Sequence, residues 1–94
     1  MPKVVITGAA GSIGSKLRRH FETLGWPLVL LDRDGRGDPA IVEADLSVWD
    51  EAWVERLEGA DALLLLAGMA YPHASWTEVT RDNLDLVFNC YEAA

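Results

Sequence analysis

The sequence predicts an α/β domain on a doubly wound parallel sheet with right-handed crossovers, and three observations carry that expectation. Short runs rich in Val, Ile and Leu alternate along the chain with stretches of helical periodicity. These runs are apolar at successive positions rather than at every second one, as strands covered on both faces are. The first run passes directly into a glycine-rich turn, "TGAAGSIG", which opens the first helical stretch.

The elements follow in the order β-α-β-β-α-β-α. "KVVIT" (3–7) is a short β-branched strand that stops at Gly8. From Ser12 onward Ile13, Leu17, Phe21 and Leu24 recur on one helical face, with Lys16, Arg18, Arg19 and Glu22 on the other. Gly25 suits the left-handed position that ends a helix, and Pro27 cannot continue it. "PLVLLD" (27–32) is a second strand ending on an acid, "DRDGRGDP" is turn chemistry, and "AIVEAD" (40–45) is a short third strand. Ser47-x-x-Asp50 resembles a capping box and starts a helix whose inner face is Trp49, Trp53 and Leu57, closed by Gly59. "ADALLLLAG" (60–68) is a fourth strand, apolar on both faces. Ser75-x-x-Glu78 opens a last helix whose later apolar positions are Leu84, Val87, Phe88 and Tyr91, with Cys90 on it as a small buried hydrophobe. The expected strand order, 3-2-1-4, leaves the fourth strand on an edge, and an unpaired apolar edge predicts self-association into a homo-oligomer.

Composition narrows the function classes. Ninety-four residues make one small domain, and half of them are hydrophobic, which excludes a disordered chain. A net charge of -7 and a pI of about 4.6 argue against nucleic acid, whose phosphates require a basic face. The longest apolar run, "ALLLLAGMA", is about half of the ~18 residues a membrane helix needs, so no membrane partner is expected. No secretory signal opens the chain, and the one cysteine forms no internal disulfide, which together predict a cytoplasmic protein. No Cys/His cluster has metal-ligand spacing, and none of the positions reads as a metal ligand.

The glycines carry the functional signal. In a doubly wound sheet the first strand–helix turn lies at the carboxyl edge, where ligands bind. Gly8 would make the tight turn, Gly11 would let backbone approach a diphosphate, and Gly14 would permit close helix–strand contact. The unpaired N–H groups of the helix start then face the phosphates. Asp32 ends the second strand 18 residues after Gly14, near the spacing of ~20 expected for the acid that binds the adenosine ribose hydroxyls. Strand, glycines, helix, strand and acid together describe a dinucleotide-binding domain of Rossmann type. Asp32 favours NAD over NADP by repelling a 2′-phosphate, whereas Arg33 beside it is a group that can hold one.

Gly-x-x-Gly-x-x-Gly preceded by Thr7 resembles the extended short-chain dehydrogenase/reductases, the NAD-dependent epimerase/dehydratase family. The resemblance runs the whole chain. "EADLSVWDEAWVERLEGADALLLLAG" is similar to the family's Asp-Leu after strand three, its helix and its "D-x-V-x-H-L-A-A" strand, from which this chain departs at Gly68. "NLDLVFNCYEAA" resembles the family's "N-x-x-G-T-x-N-L-L-E-A-A" helix, with Asp85-Leu86 in place of Gly-Thr, and the "LAG" strand and "YEAA" helix look most like uronate dehydrogenases. The resemblance implies that Ser12 and Ile13 offer the pyrophosphate backbone N–H groups, and that Asp45 and Leu46 border the adenine. It further implies that Leu66, Ala67, Gly68 and Met69 line the path to the nicotinamide ribose, and that Asn83 organises the active-site side of the cofactor.

The family's chemistry uses a Tyr-x-x-x-Lys pair, in which the lysine lowers the tyrosine's pKa. Here Tyr71 is followed by Ser75 four residues on, and the only lysines are Lys3 and Lys16. No catalytic residue is therefore expected within these 94 residues, which read as the front part of a longer enzyme moving hydride between a sugar or sugar-nucleotide substrate and nicotinamide. A non-catalytic dinucleotide-sensing module, or a fragment inactive in isolation, is the alternative. His73 in the "AYPHAS" loop reads as a solvated side chain.

Overall fold

The computed structural model describes residues 2–66 and 85–93. Its four strands are β1 (Val4–Thr7), β2 (Leu28–Asp32), β3 (Ile41–Glu43) and β4 (Ala62–Leu65), all parallel in the order β3-β2-β1-β4. Among the described residues the helices are α1 (Ser12–Leu24), α2 (Glu51–Val54, tightening into a 3₁₀ turn over Glu55–Leu57) and α3 (Leu86–Ala93). In register, Val5 lies opposite Val29 and Leu63, and Thr7 opposite Leu31 and Leu65. The expected Rossmann-type order is the observed one, with β4 on an edge.

Alternation along the central strand divides the core in two. Val4 and Ile6 pack with Leu30 and Ile41 on one face, against Leu17, Phe21 and Ala10 at the α1 side. Val5 packs with Leu31 on the other face, against Leu46, Trp53, Leu57, Leu86 and Cys90, contributed by α2, α3 and the loop before them. Helices thus cover both faces, the arrangement a parallel sheet requires.

Where the helices differ from expectation, the cause is visible. Ile13 is 62% exposed and Leu24 is exposed too, so the inner stripe of α1 is Gly14, Leu17 and Phe21. Gly14 sets that rotation. A Cβ on it would lie 2.2 Å from the Gly8 carbonyl oxygen and 3.0 Å from the Ala9 Cα, so the helix is laid directly on the preceding turn. With Gly14 facing inward, Ile13 must face out. α2 starts at Asp50, not Ser47: the Asp50 carboxylate accepts the Ala52 N–H at 2.9 Å, while the Ser47 N–H and hydroxyl both donate to Asp45 Oδ1. Aspartate at the cap itself makes the bond that the capping-box reading gave to serine. Trp53 and Leu57 are buried as expected, but Trp49 is exposed and meets Trp53 edge-on at 6.0 Å between centroids. On α3 the inner positions are Leu86 and Cys90, one turn apart, whereas Phe88 and Tyr91 are 64% and 74% exposed. The expected opening of that last helix at Ser75, its Leu84 position and the His73 loop lie outside the described residues.

Polar contacts tie the layers. Arg18 of α1 pairs with Asp38 in the β2–β3 connection and with Glu22 one turn on. The Arg18 guanidinium holds the Asp38 carboxyl below the usual carboxylate range, so this contact stabilises the fold at neutral pH and is lost as pH falls through the lowered value. The Asp38 side chain also accepts the Ala40 N–H at 2.9 Å, fixing the turn that enters β3.

Two outcomes follow from this packing. Gly14→Ala destabilises the protein by about 1–3 kcal/mol, because the contact it meets is backbone and cannot rotate away. Thermal unfolding measures it as a fall of several degrees in Tm, while Lys16→Ala on the exposed face leaves Tm unchanged; an unshifted Gly14→Ala contradicts the packing. Burial pushes the Cys90 thiol up to about 11. Cys90 therefore stays protonated and unreactive toward a disulfide reagent at pH 8 until the protein is denatured, and rapid labelling of the folded protein contradicts its position.

Candidate functional site

Because all four strands run parallel, their carboxyl ends share one edge, and that edge gathers Gly8 after β1, Asp32 and Arg33 at the end of β2, Asp45 and Leu46 after β3, and Leu66 after β4. Ala67, Gly68, Met69 and Asn83 lie outside the described residues.

The turn after β1 is built by its glycines and by the sheet. Gly8 has φ 71°, a left-handed conformation that a side chain would strain. Its carbonyl accepts the Gly11 N–H at 3.0 Å, and the Ala9 N–H donates to the Leu31 carbonyl at 3.2 Å. Gly11 then caps α1 with extended backbone and no side chain of its own over the helix end. A serine or aspartate there would occupy the helix N–H groups internally. Here the N–H groups of Ser12, Ile13 and Gly14 precede the first intrahelical bond, and no acidic residue lies in the first turn. The result is an open, electropositive helix start at the centre of the carboxyl edge, suited to a phosphate oxyanion. Exposure of the Ile13 side chain is compatible with its predicted part, which uses its backbone.

Asp32 is wired to this turn. Its Oδ2 accepts the Ala10 N–H at 2.9 Å and its Oδ1 accepts the Asp34 N–H at 3.2 Å. A carboxylate has about four lone-pair positions, so each oxygen retains one for a further donor. Arg33, immediately after it, places a guanidinium nitrogen 3.7 Å from Asp45 Oδ1. Asp45 is itself held by Ser47, through the N–H at 3.1 Å and the hydroxyl at 2.6 Å. Leu46 turns its side chain into the core, and its carbonyl accepts from Asn89 Nδ2 at 3.1 Å. The predicted adenine-bordering pair is thus on the edge, with the Leu46 carbonyl engaged by α3.

Two residues hold this edge without having been singled out for it. Thr7 is fully buried; its hydroxyl donates to the Leu64 carbonyl at 3.1 Å and accepts the Leu66 N–H at 3.0 Å. It fixes the chain leaving β4, including Leu66. Asn89 joins α3 to the loop after β3. Thr7 was visible as part of the glycine motif, but a side chain bridging 57 residues to a neighbouring strand leaves no local signal. A cleft of about 330 Å³ beside β3 is lined by Val42, Ala44, Asp45, Val48, Asp50 and Trp53, among others; it shares Asp45 with this edge and includes none of the glycine turn. Among the described residues no group of His, Cys, Asp or Glu is arranged to hold a metal ion, and no helix is long and apolar enough to cross a membrane.

Comparison with known proteins agrees with this fold. A uronate dehydrogenase mutant from Agrobacterium tumefaciens, solved in complex with NAD, matches with a TM-score of 0.82 and 29% identity over 100% of this chain and 36% of that one. An NAD-dependent glucose-6-phosphate dehydrogenase of Haloferax volcanii is 33% identical over 97% of this chain, and a uronate dehydrogenase of Pseudomonas putida 34% identical over 98%. The chain spans 37% and 35% of those two relatives, little more than a third of each. The model of the NAD-dependent epimerase/dehydratase family matches residues 4–94. On its sequence, its strand order and its glycine turn, the chain belongs to the NAD-dependent epimerase/dehydratase family.

Proposed function

We propose that this chain is the NAD-binding part of a sugar dehydrogenase, an oxidoreductase that passes hydride between a sugar carbon and nicotinamide. One observation carries the reading: the Asp32 carboxylate accepts a hydrogen bond from the Ala10 N–H, so the acid and the glycine turn form one rigid unit at the carboxyl edge. The named activities of the relatives, on glucose 6-phosphate, L-arabinose and uronate, support a dehydrogenase over an epimerase or dehydratase. A further similar structure was solved with UDP-glucose and NAD, which extends the substrate class to sugar nucleotides.

The residues present fit the dinucleotide. Ser12 and Ile13 N–H groups and the α1 dipole bind the pyrophosphate, where the absence of a capping side chain leaves room for it. Asp32 accepts both adenosine ribose hydroxyls on the lone pairs that Ala10 and Asp34 leave over. Asp45, Leu46, Leu66, Ala67, Gly68, Met69 and Asn83 are assigned to the adenine and nicotinamide-ribose sides on family resemblance. When bound, NAD supplies the hydride acceptor; the chain's own part is to hold it rigidly. Tyr71 has Ser75 four residues on and the only lysines are Lys3 and Lys16, so no proton transfer is assigned to these residues. Among the described residues β4 is an edge strand, which favours pairing with further strand, from the same protein or a second copy.

Calorimetric titration with NAD tests the reading. Asp32→Ala weakens NAD binding about tenfold or more, the cost of losing charge-assisted hydrogen bonds to two hydroxyls. Equal affinity in the variant, with an unchanged thermal melt, overturns the assignment of Asp32.

A further inference from the structure

We propose that the ion pair between Arg33 and Asp45 sets this site's discrimination between dinucleotides with and without a 2′-phosphate, Asp45 acting as a positioning residue for Arg33. The inference rests on the reading above, in which the adenosine half of the cofactor lies at the carboxyl ends of β2 and β3. It goes beyond Asp32, whose carboxylate disfavours a phosphate by direct repulsion.

Arg33 follows Asp32 directly in sequence at the end of β2, and a guanidinium next to the adenosine ribose is a group that can hold a 2′-phosphate. In this structure that guanidinium is directed to Asp45, with 3.7 Å between the charged atoms and the two side chains 50% and 43% exposed. Asp45 is not a drifting partner. Two donors from Ser47, the backbone N–H and the hydroxyl at 2.6 Å, converge on the same Oδ1 that faces Arg33. Ser47 therefore fixes Asp45, and Asp45 draws Arg33 along the sheet edge toward β3. A phosphate dianion arriving beside Asp32 must share or break that pair, whereas uncharged ribose hydroxyls need nothing from Arg33.

The charges give the same sign. Asp32, Arg33 and Asp45 together sum to one negative charge at the strand ends, which disfavours an added dianion; without Asp45 the sum is zero. Exposure keeps the effect modest, because a half-exposed ion pair at this distance is screened by water. The fold itself does not impose the choice: a relative 31% identical to this chain is an L-arabinose 1-dehydrogenase named for both NAD and NADP. A side-chain pair on the edge is the kind of feature that moves such a preference while leaving the sheet unchanged.

The test uses ADP-ribose and 2′-phospho-ADP-ribose as probes, titrated calorimetrically into the full chain. Asp45→Asn keeps a side-chain oxygen for Ser47 and removes the charge. It is expected to shift the ratio of the two Kd values by about two- to fivefold toward the 2′-phosphorylated probe, and to steepen that probe's salt dependence. Ser47→Ala, which removes the hydroxyl donor to Asp45 but keeps the backbone N–H and changes no charge, is expected to shift the ratio in the same direction by less. In the Arg33→Ala background the Asp45→Asn shift is expected to shrink to the direct contribution of the Asp45 charge, since the larger part of the effect passes through Arg33. An unchanged ratio with both probes bound overturns the inference and leaves the cofactor assignment standing. An equal shift in the Arg33→Ala background also overturns it, because Asp45 then acts only by its own repulsion. Failure of the unaltered protein to bind either probe overturns the cofactor assignment and the inference with it.

Discussion

The contact between Gly14 and the Gly8 carbonyl is the constraint on which the site depends. Helix α1 can lie on the turn that precedes it only because residue 14 has no Cβ; the nearest backbone oxygen would be 2.2 Å from one. That closeness fixes both the position and the rotation of the helix. It brings Leu17 and Phe21 down onto Val4, Ile6 and Leu30, turns Ile13 to solvent, and leaves the N–H groups at the helix start at the carboxyl edge of β1. The anion binding proposed for this place would rest on backbone geometry, with no basic side chain aimed at the phosphates.

Around that centre, single polar side chains join the ends of neighbouring elements. Thr7 links β1 to the chain leaving β4, Asp32 links β2 to the glycine turn, and Asn89 links α3 to the loop after β3. Each spans parts of the sequence far apart, and each bonds a backbone N–H or C=O group of another element. The carboxyl edge, where a ligand needs fixed geometry, is thereby held by side chains. The opposite edge is held more simply, by Lys3 contacts to Asp61 and to the Glu58 carbonyl.

Much of this was legible from sequence because it is local. The strand order, the span of α1 and its end at Gly25, the Gly8 turn and the burial of Cys90 and Trp53 all arise from spacing or residue type within a few positions. The errors have a common origin: periodicity identifies a helix but does not fix its rotation. Ile13 lies one residue from Gly14, and the packing need at Gly14 outweighed the burial of a larger apolar side chain. Likewise Phe88 and Tyr91 gave way to Leu86 and Cys90, and Trp49 gave way to Trp53, on helices whose neighbours decide which face is inward. Ser47 was read as a cap because its spacing to Asp50 fits; its hydroxyl found a closer acceptor in Asp45. The pairing of Arg33 with Asp45, across two strands, has no sequence signature at all.

The central claim is that a dinucleotide is held by the glycine turn and the end of β2. Amide chemical shifts of isotope-labelled protein, recorded during titration with NAD, test it most directly. The account predicts that the largest changes fall on Gly11, Ser12, Ile13 and Gly14, with a second group at Asp32 and Arg33, and that Val48, Asp50 and Trp53 beside the β3 cleft stay nearly still. Changes concentrated on the cleft residues, with the α1 start unmoved at saturating NAD, would contradict it.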